Sequence, residues 1–215
     1  YNERTNAPSG TLGLPGNVTI RYHHGLMAPT NNAFANFIEE YFVGPNKWGS
    51  LENAPRNLKR IIANSHMAVN PVYPTDFNIG FYNGEKDLIT LDEADVVDKK
   101  YGSNCTFIGL KNAVIPRAFK AVTGPVYLQR GFSYCMYAIE KTGLLPALKR
   151  QNKEYMLFVE TDKDARADSS LLYDNFEERF TAFQVSGAAA MEFTFSDYDL
   201  RRLLLNHVGT ELPRG

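Results

Sequence analysis

The strongest constraint on how this chain folds is a run of five apolar side chains between residues 34 and 42. Phe34, Phe37, Ile38, Tyr41 and Phe42 fall at i, i+3, i+4, i+7 and i+8, which is one stripe of a 3.6-residue helix. Thr30 or Asn31 supplies an N-cap, and Gly44-Pro45 ends the run, so the spacing predicts a helix over 31–43. Pro55 opens a second helix with Leu58, Ile61, Ile62 and Val69 on one face and Asn70-Pro71 as its stop, predicting 55–69. A third is predicted over 197–207, with Ser196 as cap, Asp199 in place of the usual Glu, then Leu200, Leu203, Leu204 and His207 before Gly209.

Between these helices the chain reads as short strands. Asn17–Tyr22 alternates and is β-branched, and Phe77, Ile79 and Phe81 alternate toward a hairpin closed by Asn83-Gly84 and the return Leu88–Leu91. Further strands are expected at 105–110, 125–130, 154–161, 180–186 and 189–195, with helical turns near 116–122, 132–141, 145–151 and 169–179. The charge order of 93–101, acidic at the front and Lys99 and Lys100 at the back, suits a short helix. No clean βαβ rhythm or repeat appears. The expected fold is α+β: a single globular domain over 17–215, with a mixed, largely antiparallel sheet flanked by helices, preceded by an extended N-terminal arm.

That arm, residues 1–16, is dominated by Gly, Pro, Asn, Ser and Thr and cannot bury enough surface to offset its ordering entropy. Order there would require a neighbouring subunit or the surface of its own domain. The chain opens on Tyr1 rather than Met, as a processed product or a piece of a longer protein would.

The 215 residues carry a formal charge of −1, so no global field draws the protein to phosphate backbones or anionic lipid, and nucleic acid is an unlikely partner. Apolar stretches fall far short of the ~20 residues a membrane span needs, and no basic-then-apolar leader is present, so a soluble protein is expected, of unknown compartment. Asn17-Val18-Thr19 and Asn104-Cys105-Thr106 match the glycosylation sequon, as about two triplets would by chance in a chain this rich in Asn.

Catalytic fingerprints are missing. Phosphate-loop, HExxH, CxxC and GxSxG patterns do not occur, and Gly10, Gly13 and Gly16 have the wrong spacing for a dinucleotide loop. Neither a cofactor nor a metal is expected. Glu160, Asp162, Asp164 and Asp168 fail the calcium-loop test, because counting from Asp162 puts Arg166, Ala167 and Tyr173 at positions 5, 6 and 12, so a solvated acidic loop is expected.

Two polar clusters remain. Arg21-Tyr22-His23-His24 closes the first expected strand, so alternation would set His23 with Arg21 and His24 with Tyr22, too far apart to chelate one metal. Arg21, Tyr22 and His24 are candidate binding residues, and His23 and His24 candidate acid/base groups. Cys105 is a candidate nucleophile if a base among His23, His24, His66 or His207 comes near it, although Phe107–Leu110 looks like a buried strand and Cys135 like core. Arg56, Lys59 and Arg60, and Lys149, Arg150 and Lys153, read as solvated helix faces.

Three functions are therefore open. The first expectation is a structural or protein–protein interaction subunit of a larger assembly, such as a virion or phage particle component, joined to like or unlike subunits through the arm. The alternatives are a hydrolase or transferase with a Cys/His or Arg/His site, and a ligand-binding module with an aromatic-lined cleft.

Overall fold

A computed structural model describes residues 3–5, 19–21, 23–150, 152–162, 171–174, 179–186 and 189–210. Its described residues divide into two units, one drawn from Tyr1–Glu39 and Pro55–Ile115, the other from Glu40–Ala54 and Pro116–Gly215. The first unit contains β1 (Glu3–Thr5), β2 (Thr19–Arg21), β3 (His24–Pro29), most of α1 (Asn31–Phe42), α2 (Arg56–Ser65), β4 (Met67–Ala68), α3 (Asp76–Ile79), β5 (Phe81–Tyr82), β6 (Leu88–Ile89), β7 (Val96–Tyr101) and β8 (Cys105–Leu110). Its main sheet runs β4-β3-β8-β7, with β3 and β8 parallel and the outer pairs antiparallel. The chain is thus α+β, built on a mixed, largely antiparallel sheet with flanking helices.

The pleat divides the three strands β4, β3 and β8, whereas β7 is exposed along most of its length. On one face Met27, Ala68, Ile108 and Leu110 join Val72 and Phe77 in a core that Phe81, Ile89, Leu91, Val96 and Val114 extend. Gly25 lies on the same face, where a Cβ would stand 2.8 Å from both the Ala68 Cβ and the Val72 Cγ2. Close approach of β3 to β4 and the 69–72 turn therefore requires glycine there. Thr106, buried in the same layer, accepts a hydrogen bond from the Val72 amide at 2.8 Å through its hydroxyl oxygen.

The helix over 31–42 forms as its stripe predicts. Thr30 is its cap, with its Oγ1 accepting from the Ala33 amide at 3.3 Å, and Phe37 and Phe42 are buried. The second helix is shorter than expected. It buries Leu58, Ile61 and Ile62 but stops at Ser65, because the chain turns at His66 into β4 and leaves Val69 exposed.

Three further stretches of the first unit differ from what their sequence predicts. Phe77 and Ile79 belong to a single helical turn, with Phe77 buried and Ile79 exposed, and only Phe81–Tyr82 and Leu88–Ile89 form the hairpin arms. The expected helix over 93–101 is a 3-10 turn at Glu93–Asp95, capped by Asp92, followed by a strand, since Val96 and its successors pair with β8. The histidine pair does not end the first strand. That strand stops at Arg21, and His24 begins β3, whose register is set by β8.

Three residues of the arm, Glu3–Thr5, pair antiparallel with Thr19–Arg21 of the same chain. The rest of the arm and Tyr22 lie outside the described residues.

The second unit contains α4 (Arg117–Lys120), α5 (Gly124–Leu128), α6 (Ser133–Lys141), α7 (Leu145–Leu148), β9 (Tyr155–Leu157), β10 (Leu171–Asp174), β11 (Arg179–Ser186), β12 (Ala189–Thr194), α8 (Asp197–Asn206) and β13 (Val208–Thr210). β10, β11 and β12 form an antiparallel meander, and β13 pairs antiparallel with β9. Where a strand was expected at 125–130 the chain is helical over 124–128, because Pro125 occupies the first turn of a helix that buries Val126 and Tyr127. The helical turn expected near 169–179 is instead strand at Leu171–Asp174. α6 and α8 are joined by the Arg201 guanidinium, which donates to the Thr142 carbonyl at 2.7 Å. No helix among the described residues is long and apolar enough to cross a membrane.

Gly25→Ala tests the β3–β4 packing: overpacking should destabilise the protein by about 1–3 kcal/mol. The readout is the denaturant midpoint at unchanged m, and an unshifted midpoint would contradict it.

Candidate functional site

Parallel pairing sets His24 of β3 in register with Cys105 of β8, Leu26 with Phe107, and Ala28 with Gly109. In-register residues of neighbouring strands share a face, so all six lie on the side of the sheet opposite the core. Register also aligns Leu26 with Met67 of β4 and Phe107 with Lys100 of β7. A row Met67, Leu26, Phe107, Lys100 thus crosses all four strands on the outer face. Leu26 is 40% and Met67 42% exposed, and the Lys100 ammonium lies over the Phe107 ring, 5.9 Å from its centroid. Val97, 49% exposed, covers Gly109 on this face, its Cγ2 standing 3.0 Å from where a Cβ would be.

At the end of that face the two adjacent histidines diverge. His23 donates from Nε2 to the Ser103 carbonyl, at the β7–β8 turn. His24 donates from Nδ1 to the Val69 carbonyl at 2.9 Å, beyond β4 and away from β8. A carbonyl only accepts, so these bonds fix which ring nitrogen carries the proton. His24 and Cys105 are brought together in register, yet among the described residues no hydrogen bond joins Cys105 to either imidazole. Of the other candidate binding residues, Arg21 ends β2 and Tyr22 lies outside the described residues.

The remaining histidines are helix ends. His66 follows α2 and donates from Nδ1 to the Ile62 carbonyl at 2.8 Å, and His207 follows α8 and donates from Nδ1 to Leu203 at 2.8 Å. Each therefore satisfies a carbonyl that the last helical turn leaves without a partner. The pattern repeats in the main chain, where the His66 carbonyl accepts from Met27 and the His207 carbonyl from Phe158, both at 2.8 Å. His66 differs in burial and in its second nitrogen, Nε2, which accepts from the Val114 amide at 3.0 Å. Burial pushes its imidazole below the ordinary value, outweighing the bond to Ile62, which pulls the other way.

Asp162, expected in a solvated loop, takes a different role. Its carboxylate accepts from the Ser133 and Tyr134 amides at 2.7 and 3.0 Å, capping α6 from 28 and more residues away. Sequence reasoning could not see this cap because it is tertiary, but an Asp after a strand and a Gly-Phe-Ser helix start are its two halves. Burial above all, and then Asp162, pushes the thiol of Cys135 up to about 12. Cys135 and Cys105 are both unbridged. Among the described residues no three His, Cys, Asp or Glu side chains gather as a metal site. Compared with known proteins, the chain matches no family model and no curated sequence.

The thiols separate in a labelling experiment. With the thiol at about 12, Cys135 is about one part in ten thousand thiolate at pH ~8. A disulfide reagent should find one reactive thiol in the native protein, Cys105, and a second only after unfolding; two fast equivalents in the native state would contradict this.

Proposed function

We propose that this protein is a structural, protein–protein interaction subunit whose contact surface is the outer face of the β4-β3-β8-β7 sheet. The observation that carries this reading is the row Met67, Leu26, Phe107, Lys100, in register, with Met67, Leu26 and Lys100 exposed and Phe107 half-buried, backed by the exposed Val97. The same unit carries further large exposed apolar side chains, among them Val69, Tyr73, Ile79, Tyr82, Leu88 and Tyr101. Isolated exposed apolar residues are ordinary, but a contiguous set on a rigid sheet is how proteins present surfaces for association. Assembly into a larger particle is the role this surface would serve.

The proposal rests on the sheet, not on the arm, since the arm's Glu3–Thr5 pair with the chain's own β2. A Cys/His hydrolase would need Cys105 coupled to a ring, whereas His23 and His24 are turned onto backbone carbonyls.

Sedimentation velocity over a range of concentrations tests the reading. The wild type should exceed the 24.2 kDa of one chain as concentration rises. Leu26→Glu with Met67→Glu should stay at one chain while unfolding at the same midpoint, because burying an apolar side chain of this size at an interface contributes about 1–3 kcal/mol. A wild type that remains one chain throughout, or a double variant that associates equally well, would overturn it.

A further inference from the structure

We propose that His66 is a proton-operated latch on residues 111–115, the segment that carries the chain out of the first unit. The inference is independent of the association surface and stands on how the segment is held. Its start is fixed by Lys111, whose amide donates to the Asp95 carbonyl at 2.8 Å and whose Nζ donates to the Ala94 carbonyl, and by the Asn112 side chain, 3.5 Å from the Asp95 carboxylate. Its far end passes into α4, where the Phe119 amide donates to Pro116. Between those points, the Val114 amide is the one main-chain donor of residues 112–115 with a partner among the described residues, and that partner is Nε2 of His66.

The bond works in one protonation state only. Nδ1 carries its hydrogen to Ile62, so Nε2 must hold a lone pair to accept from Val114. A proton on Nε2 sets two N–H groups face to face and leaves the Val114 amide without an acceptor. The bond to Ile62 and the Met27-to-His66 main-chain bond do not involve Nε2 and persist. What opens is the segment, not the sheet.

Glu85 reaches the end of α2, where it accepts from the Asn64 side chain at 2.8 Å, but burial and the Ile62 carbonyl govern how readily the ring takes a proton. On α2, Arg56, Lys59 and Arg60 are exposed. On β3, His24 is turned to Val69, and β4 carries no ionisable group. In the segment itself, the Lys111 ammonium is engaged by Ala94. Because the latched ring binds its proton less readily than a free one, latching is complete above the free-histidine value near ~6.5. It weakens as pH falls below that and levels off beneath the latched ring's own, lower value.

Amide exchange by NMR on the intact protein, from about pH 7.5 down to about pH 5, reads this directly. After correction for intrinsic rates, protection of the Val114 amide should fall as pH drops through ~6.5, by at most about tenfold per pH unit, and level off beneath the latched ring's own value, while protection of Met27 holds. His66→Gln offers a carboxamide oxygen that does not titrate, and should make Val114 protection flat with pH. Three results would overturn the latch: no protection at Val114 at neutral pH, protection that ignores pH, or a fall shared equally by Met27, which would mean global opening. If the Gln variant does not fold, the wild-type comparison of Val114 with Met27 decides alone.

Discussion

Residue 66 ends a helix, begins a strand, anchors the neighbouring strand and holds the exit segment, and it does so with four hydrogen bonds from one histidine. Its amide donates to Ala63, its carbonyl accepts from Met27, Nδ1 donates to Ile62 and Nε2 accepts from Val114. A buried polar side chain is tolerated when every donor and acceptor is matched, and removing one partner costs more than the bond contributes. That arrangement explains why α2 stops where it does. The helix would otherwise run on through its apolar face, but the turn at His66 delivers Met67 and Ala68 into pairing with β3, and β3 then aligns β8.

The second unit uses the same local device in milder form. His207 closes α8, returns its Nδ1 to the preceding turn and passes the chain into β13 beside β9. The two residues share a backbone conformation, with φ −94° and ψ 1° at His66 and φ −93° and ψ 1° at His207. The shared logic is a helix whose last carbonyls are met by a side chain that the next strand then fixes in place. Only His66 is buried and bound at both ring nitrogens, which is why only it couples to the connecting segment.

What was legible in the sequence was what depends on near neighbours. Thr30, the Phe37 and Phe42 stripe and Gly44 specify α1 within fifteen residues, and Ser196 with Leu200 and Leu204 does the same for α8 over a shorter stretch. Residues 93–101 misled because a helix-like charge order sat on two β-branched residues whose pairing partner, β8, lies further along the chain. Pro125-Val126-Tyr127-Leu128 looked like a strand because an apolar run carries no period, and its helical state depends on burial of Tyr127. The candidate site was least legible. Nothing local indicates that His24 aligns with Cys105, that Asp162 caps a remote helix, or that Leu26, Met67 and Phe107 share an open face, because each follows from sheet register or a long-range bond.

The division of the sheet into a buried and an open face is the claim on which the functional reading turns, and two methionines on its opposite faces report on it. Met27 is on the core face, 0% exposed, and Met67 is on the outer face, 42% exposed. Hydroxyl-radical footprinting of the dilute protein, read by mass spectrometry, should oxidise Met67 readily and spare Met27, with Met67 becoming protected as the protein associates. A Met67 that is already protected in the isolated chain, or that is oxidised no faster than Met27, would show the outer face to be covered and would contradict the account.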